Sequence, residues 1–356
     1  MERRSAARSA AVISFTRAGG LLAERICTVL TEHGFRAAAY RKGGAGAYGR
    51  PVEEPLGDWA GRHFGREDLL VFVGACGIAV RAIAPYVRDK RTDPAVLVLD
   101  EKGGFCIPLL SGHLGGANEA ALLLGRALGC APVLTTATDV NGAFAVDVFA
   151  ARNRLAISDM GLAKAVSAAI LRGEDVGFRC DGGVEGPLPA GLRPAEEGKE
   201  VPALGICIAT RKGKTDPFPR TLYLIPRAVT VGIGCRRGTE RETIAALAQE
   251  RREALGLFPQ AIRQVASIDL KRDEPGLLAY CEAEGLPLRT YSAEELAQVP
   301  GEFTSSDFVR SVAGVDNVCE RSACRAAQPG RLLEGKTGRN GVTVAFAEEE
   351  WRVRFE

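Results

Sequence analysis

Apolar residues fall into short blocks set apart by glycine-rich turns, and the blocks alternate between strand-like and helix-like spacing. Ala11–Phe15 reads as a short apolar strand, and Gly19–His33 carries Leu22, Ile26, Val29 and Leu30 at helical intervals. The Gly-rich run Arg41–Arg50 has no core-forming pattern and reads as a loop. Leu69–Val73 is apolar throughout, as expected of a strand buried on both faces. Gly74–Gly77 then turns into a helical run that ends near Pro85. Ala95–Leu99 is the next strand, and Asp100–Gly104 is a hairpin turn into Phe105–Leu110. Ser111–Asn118 follows as a loop, then an Ala/Leu helix from Glu119 to Leu128 and a strand at Pro132–Leu134.

The pattern weakens between Asn141 and Pro226. Helical runs at Phe144–Asn153 and Gly161–Leu171 lead to short strands near Val176 and at Leu204–Ala209, with the Gly/Pro-rich Gly182–Gly198 read as loop. Ala228–Gly234 restarts the strand pattern. A charged amphipathic helix spans Thr239 to Leu255, and strand ends fall at Ala266–Asp269 and Leu288–Tyr291. Ser292–Glu295 is a helix-capping pattern, and Thr343–Phe346 is expected to close the sheet. The sequence predicts an α/β protein: two doubly wound α/β domains, residues 1–139 and 228–356, joined by a smaller middle domain, 140–227. Ligands collect at the carboxyl ends of strands in such sheets. Three loops are expected there: Gly74–Gly77, Ser111–Asn118 and Thr135–Asp139.

Composition changes this picture little. Charged residues make up 25% and hydrophobic ones 46% of 356, ordinary for a globular protein. A net charge of +2 points to neither nucleic acid nor an anionic membrane as a partner. No apolar run is long enough to span a bilayer, and a cytoplasmic location is expected. The ten cysteines are scattered without a Cys-x-x-Cys, which favours free thiols over a zinc or iron–sulfur site.

Ser111–Asn118 carries the sharpest candidate chemistry. Its glycines, Gly112, Gly115 and Gly116, let backbone amides approach a ligand just before a helix begins, a ready anion site. His113, one of three histidines in the chain, adds a titrating group suited to an acyl or carboxylate centre. A tight turn capped by its histidine reads equally well. Asp139 either orients His113 or caps the next turn. Arg81, Lys90, Arg91 and Asp93 lie in a stretch that suits a substrate with several carboxylates, or else form a solvated helix end. Gly232-x-Gly234 is followed by Gly238, which is not the dinucleotide spacing; its amides would suit another anionic group. Asn317–Ala323 and Lys336–Gly338 are polar and non-periodic, and their pattern names no reaction.

Together these segments resemble the CbiG family, the cobalt-precorrin-5A hydrolases of anaerobic cobalamin biosynthesis. The carrying residues are Gly77–Arg81, Lys90-x-x-Asp93–Val96, Leu109–Asn118, Thr135–Asp139, and Val231–Gly238 through Lys336–Gly338. The resemblance implies hydrolysis of a δ-lactone on ring A of a cobalt corrinoid, with loss of acetaldehyde. The cobalt belongs to the substrate, so no cofactor and no protein metal site are expected. Lactone hydrolysis needs a base for water and donors for the oxyanion. His113 is the candidate base, Asp139 its partner, and Ser111 a nucleophilic variant. Gly112, Gly115, Gly116 and Asn118 are expected around the oxyanion, with Gly74, Gly77, Arg81, Lys90, Thr135, Thr136 and Thr138 as further substrate contacts. In the last third, Gly232, Gly234, Cys235, Ser322 and Lys336 complete the expected substrate set. A corrinoid carrier without chemistry is the first alternative, because the last domain also occurs alone in aerobic pathways. A phosphate- or nucleotide-binding α/β enzyme is the second. Transient contact with neighbouring pathway enzymes is expected, and the oligomeric state stays open.

Overall fold

Val12, Val71 and Leu97 face one side of a sheet, and Ile13, Phe72 and Val96 face the other, all essentially without exposure to solvent. Strands apolar on both faces need helices on both faces, and the computed structural model has them. It describes residues 7–43, 48–89, 92–112, 115–135, 143–196 and 200–355. The chain divides into two units, Met1–Ala143 and Phe144–Glu356.

In the first unit the strands are β1 (Arg8–Ser14), β2 (Phe35–Arg41), β3 (Arg50–Pro51), β4 (Leu69–Val73), β5 (Ala95–Leu99), β6 (Phe105–Leu110) and β7 (Ala131–Pro132). Their order is β3-β2-β1-β4-β5-β6-β7. β1 to β5 run parallel, β6 is antiparallel to β5, and β7 follows the direction of β6. Helices Arg17–Glu32 and Ala117–Leu128 cover one face through Leu22, Ile26, Leu30, Ala120 and Leu124. Helices Leu56–Phe64 and Cys76–Ile83 cover the other through Trp59, Ala79 and Ile83. This is a doubly wound layer. The first helix starts where it does because the Thr16 hydroxyl accepts from the Gly19 amide at 3.0 Å. β2 and the helix Leu56–Phe64 carry no pattern that the sequence reading recognised.

The second unit begins with β8 (Leu155–Ile157), β9 (Val176–Cys180), β10 (Gly183–Glu185), β11 (Leu192–Pro194), β12 (Leu204–Ile208) and β13 (Arg220–Pro226). A five-stranded sheet runs β11-β9-β12-β13-β8, parallel except for β8. β10 and β11 lie within Gly182–Gly198, so that segment is not the loop expected. Strands of three residues are too short to show alternation. The chain continues through β14 (Val229–Cys235), β15 (Ile262–Ile268), β16 (Leu288–Tyr291), β17 (Gly330–Arg339), β18 (Val342–Glu349) and β19 (Arg352–Arg354). The second sheet of this unit is ordered β16-β15-β14-β18-β17, with β18 antiparallel to both neighbours. The Thr343–Phe346 strand therefore lies inside the sheet rather than closing it, and β17 forms the edge. Helix Arg241–Ala254 packs on one face of this sheet, and helix Cys319–Ala326 lies over the other. Ser292 and Glu295 form the expected reciprocal cap.

β19 returns to the middle of the chain and pairs with β10. Behind it Phe355 stacks on Phe149 with ring centroids 4.5 Å apart and meets Phe178 edge-on. Glu348 ties the two sheets of this unit. Its carboxylate accepts from the Thr210 hydroxyl at 2.5 Å, the Arg331 guanidinium at 2.9 Å and the Trp351 indole at 3.3 Å. Burial pushes this carboxyl up, yet those three donors outweigh burial and hold it below the usual range.

Candidate active site

β6 ends at Leu110, and Ser111 adopts the left-handed region with φ 55, costly for a residue bearing a Cβ. The surroundings fix it there. The Ser111 hydroxyl donates to the Asp93 carbonyl at 3.1 Å, and its own carbonyl accepts from the Ala117 amide at 3.2 Å. Asp93 is buried, and its carboxylate accepts from the Arg88 amide at 2.9 Å. Gly112 accepts from the Asn118 amide at 3.0 Å. A Cβ on Gly112 would stand 2.8 Å from the buried Asn118 side chain, and one on Gly115 would stand 2.4 Å from the Ser111 Cβ. Gly116, φ 84, caps helix Ala117–Leu128 without a side-chain hydrogen bond. Close approach thus requires Gly112 and Gly115, and a left-handed backbone favours glycine at 116.

Two expectations change here. The amides of Ala117 and Asn118 are bonded to the loop's own carbonyls, so the first turn of the helix does not offer them to a ligand. Nor do the three loops converge. Because β6 runs antiparallel to β5, Ser111 lies at the amino end of β5, beside Asp93, while Gly74 lies at its carboxyl end and donates to the Leu99 carbonyl at 2.8 Å. The five residues of β5 separate them by roughly 15 Å at about 3.3 Å per residue. Gly77 and Arg81 belong to the Gly74 end, where the Arg81 guanidinium folds back onto the Gly77 carbonyl at 3.2 Å. Thr135 is described and exposed, after β7 and on the Ser111 side. Lys90, Arg91, His113, Thr136, Thr138 and Asp139 lie outside the described residues.

The remaining expected residues are in the second unit. Gly232 and Gly234 are in β14, in register with β18 and, for Gly232, with β15. A Cβ on Gly232 would stand 1.8 Å from the Cys319 carbonyl oxygen, so this glycine admits helix Cys319–Ala326 rather than offering an amide to a ligand. A Cβ on Gly234 would stand 2.6 Å from the Thr343 hydroxyl and in ordinary contact with Val318. Ser322 is fully buried, and its hydroxyl donates to the Cys319 carbonyl at 3.3 Å. Cys235 is half-buried at the end of β14, and burial pushes its thiol up. Lys336 lies in an irregular stretch of β17, within the register shift between Glu334 and Thr337. Among the described residues its ammonium has no hydrogen-bond or ion-pair partner.

Residues not singled out individually hold this region. Glu320, buried, accepts from the Thr304 amide at 2.8 Å, the Thr304 hydroxyl at 2.9 Å, the Asn317 side-chain amide at 2.7 Å and the Lys336 amide at 2.5 Å. Asn317, also buried, caps the Glu320 amide at 2.9 Å. The only signal for them in the sequence is the polar, non-periodic character of Asn317–Ala323. Next to them burial pushes the Cys319 thiol up to about 11.

Comparison with known proteins accounts for the chain in three consecutive segments. Residues 58–139 match the family described as "Cobalamin synthesis G N-terminal", 144–226 "Cobalamin biosynthesis central region", and 229–347 "Cobalamin synthesis G C-terminus". The cobalt-precorrin-5A hydrolase of Salmonella typhimurium is 36% identical over 346 residues, 95% of this chain and 97% of that protein. The enzyme of the same name from Priestia megaterium is 31% identical over 292 residues, 78% of each chain. A solved cobalamin biosynthesis protein G homolog from Sulfolobus solfataricus aligns over 96% of this chain and 98% of its own, at 24% identity and a TM-score of 0.42. The chain belongs to the cobalamin synthesis G family, CbiG.

Proposed function

We propose that this chain is a cobalt-precorrin-5A hydrolase, working in the cytoplasm on a cobalt corrinoid that brings its own metal. One observation carries this: the likeness to the Salmonella enzyme of that name runs nearly end to end in both chains. Water opens the δ-lactone on ring A, and the two-carbon unit departs as acetaldehyde to leave cobalt-precorrin-5B. His113 is the proposed base for that water, and Asp139 its orienting partner. The flanking positions support the assignment. His113 is bracketed by Gly112 and Gly115, which Asn118 and Ser111 hold by close contact. With the Ala117 and Asn118 amides bonded internally, the proposed oxyanion donors narrow to the amides of residues 112–116. The Ser111 hydroxyl is engaged with Asp93, which favours a framing role for it over nucleophilic attack. Lys90 and Thr135 are proposed carboxylate contacts, and Lys336 a proposed cationic contact in the second unit.

The test is acetaldehyde release on mixing the purified chain with cobalt-precorrin-5A, with His113→Gln alongside. Release by wild type and a 10²- to 10⁴-fold drop in the variant are expected of a general base, on the order of magnitude such groups contribute. Equal release by both moves the base elsewhere. Binding without release refutes the hydrolase and leaves a carrier.

A further inference from the structure

Among the described residues of the second unit, Glu320 and Glu348 each accept four hydrogen bonds, and Glu320 is not one of the expected substrate contacts. Glu320 is 2% exposed and accepts four hydrogen bonds, which fill the lone-pair sites of an ionised carboxylate. Its donors come from three separate stretches: Thr304 before helix Asp307–Ala313, Asn317 at the start of helix Cys319–Ala326, and Lys336 in β17. A buried charge is costly unless fully paired. A core could join these segments more cheaply with apolar residues. The Lys336 bond is the informative one. β17 shifts register twice between Leu332 and Thr337, Lys336 lies within the second shift, and Gly335 packs so closely that a Cβ there would stand 3.0 Å from the Glu320 carboxylate. The strand leaves its ladder where Lys336 is tied to Glu320. Lys336 is half-buried, and its ammonium has no carboxylate partner among the described residues, yet it is near enough to Cys319 to favour that thiol's charged form.

We infer that Glu320 is a positioning residue: through the Lys336 amide it fixes the irregular turn of β17 and so holds the Lys336 ammonium ready for a carboxylate of the corrinoid. This rests on the reading of a cobalt corrinoid as substrate and Lys336 as one of its contacts. The ammonium supplies the binding charge, and Glu320 supplies its place.

The experiment is steady-state acetaldehyde release from cobalt-precorrin-5A by the full chain, with KM and kcat separated. Lys336→Ala is expected to raise KM about tenfold and leave kcat within about twofold, the mark of lost uniform binding. Glu320→Gln turns an amide NH₂ toward N–H donors and is expected to raise KM comparably. In the double variant KM is no higher than in Lys336→Ala alone, because both changes remove one interaction. Thr304→Val deletes one hydrogen bond to the same carboxylate; it is expected to lower the melting temperature and leave KM unchanged. An unchanged KM in Lys336→Ala removes Lys336 as an anchor. A raised KM there, with Glu320→Gln neutral or fully additive to it, overturns the positioning role. So does a KM in Thr304→Val as high as in Glu320→Gln, which marks general loosening. If Glu320→Gln does not fold, Gly335→Ala, which pushes the turn off the carboxylate by a few tenths of an ångström, is expected to raise KM, and an unchanged KM overturns the proposal.

Discussion

Gly232→Ala separates packing from ligand binding at the paired glycines of β14. The added Cβ would stand 1.8 Å from the Cys319 carbonyl oxygen and 2.9 Å from the Ala323 Cβ. Both belong to the helix Cys319–Ala326, and a carbonyl oxygen cannot rotate away as a side chain can. The helix must move more than an ångström from the sheet, stretching the Glu320 hydrogen bonds at its first turn. Overpacking of this kind costs about 1–3 kcal/mol, occasionally more, against roughly 0.5–1 kcal/mol regained by removing glycine from a strand. At about 2–4 °C per kcal/mol for a domain of this size, the melting temperature is expected to fall by several degrees. Gly234→Ala crowds only the Thr343 hydroxyl, whose rotation gives up one hydrogen bond to the Gly234 carbonyl, and is expected to cost about 1 kcal/mol. Urea titration of the two variants side by side measures the difference. If Gly232→Ala is as stable as Gly234→Ala but binds substrate poorly, Gly232 serves a ligand after all and the packing argument fails.

Ser111→Gly relieves the left-handed strain but gives up the hydroxyl bond to Asp93; the two are of similar size, so stability is expected to change by less than about 1 kcal/mol, and a larger loss in urea titration refutes the balance. Glu348 predicts a pH dependence. Its folded carboxyl titrates below its unfolded counterpart, so its contribution is complete above the unfolded value of about 4.3 and is lost as pH falls through the lower, folded one. Glu348→Gln is expected to cost about 1–3 kcal/mol at neutral pH and to flatten the acid limb of the stability curve; an unchanged limb sinks the assignment.

Long apolar periods were legible. Leu22, Ile26, Val29 and Leu30 announced the first helix, and Leu69–Val73 a central strand, because burial of a whole face imposes its spacing on the sequence. Strand direction was legible too, but it conflicts with the expected convergence of loops. A tight hairpin at Asp100–Gly104 makes β6 antiparallel, and that reversal carries Ser111 to the far end of the sheet. The glycines of β14 show a different limit. A glycine that admits a helix and one that admits a phosphate look the same in sequence, and only the Cys319 carbonyl tells them apart. Glu320 was invisible for a related reason: its donors are two backbone amides, a hydroxyl and a side-chain amide, scattered from Thr304 to Lys336, and no spacing rule joins them.

The return of β19 to β10 sets an order on synthesis. The space between Phe149 and Phe178 stays unfilled until Phe355, far downstream of both, has been made. At about 5–20 residues per second, the middle segment waits on the order of ten seconds after its own strands have emerged, with those aromatic rings uncovered. A chain stopped after Glu349 would keep every strand of both five-stranded sheets and still lack the plug, leaving a sticky intermediate rather than a shorter enzyme. β19 and Phe355 work as a late latch: the middle segment closes its core only after the sheet that follows it in the chain has been made.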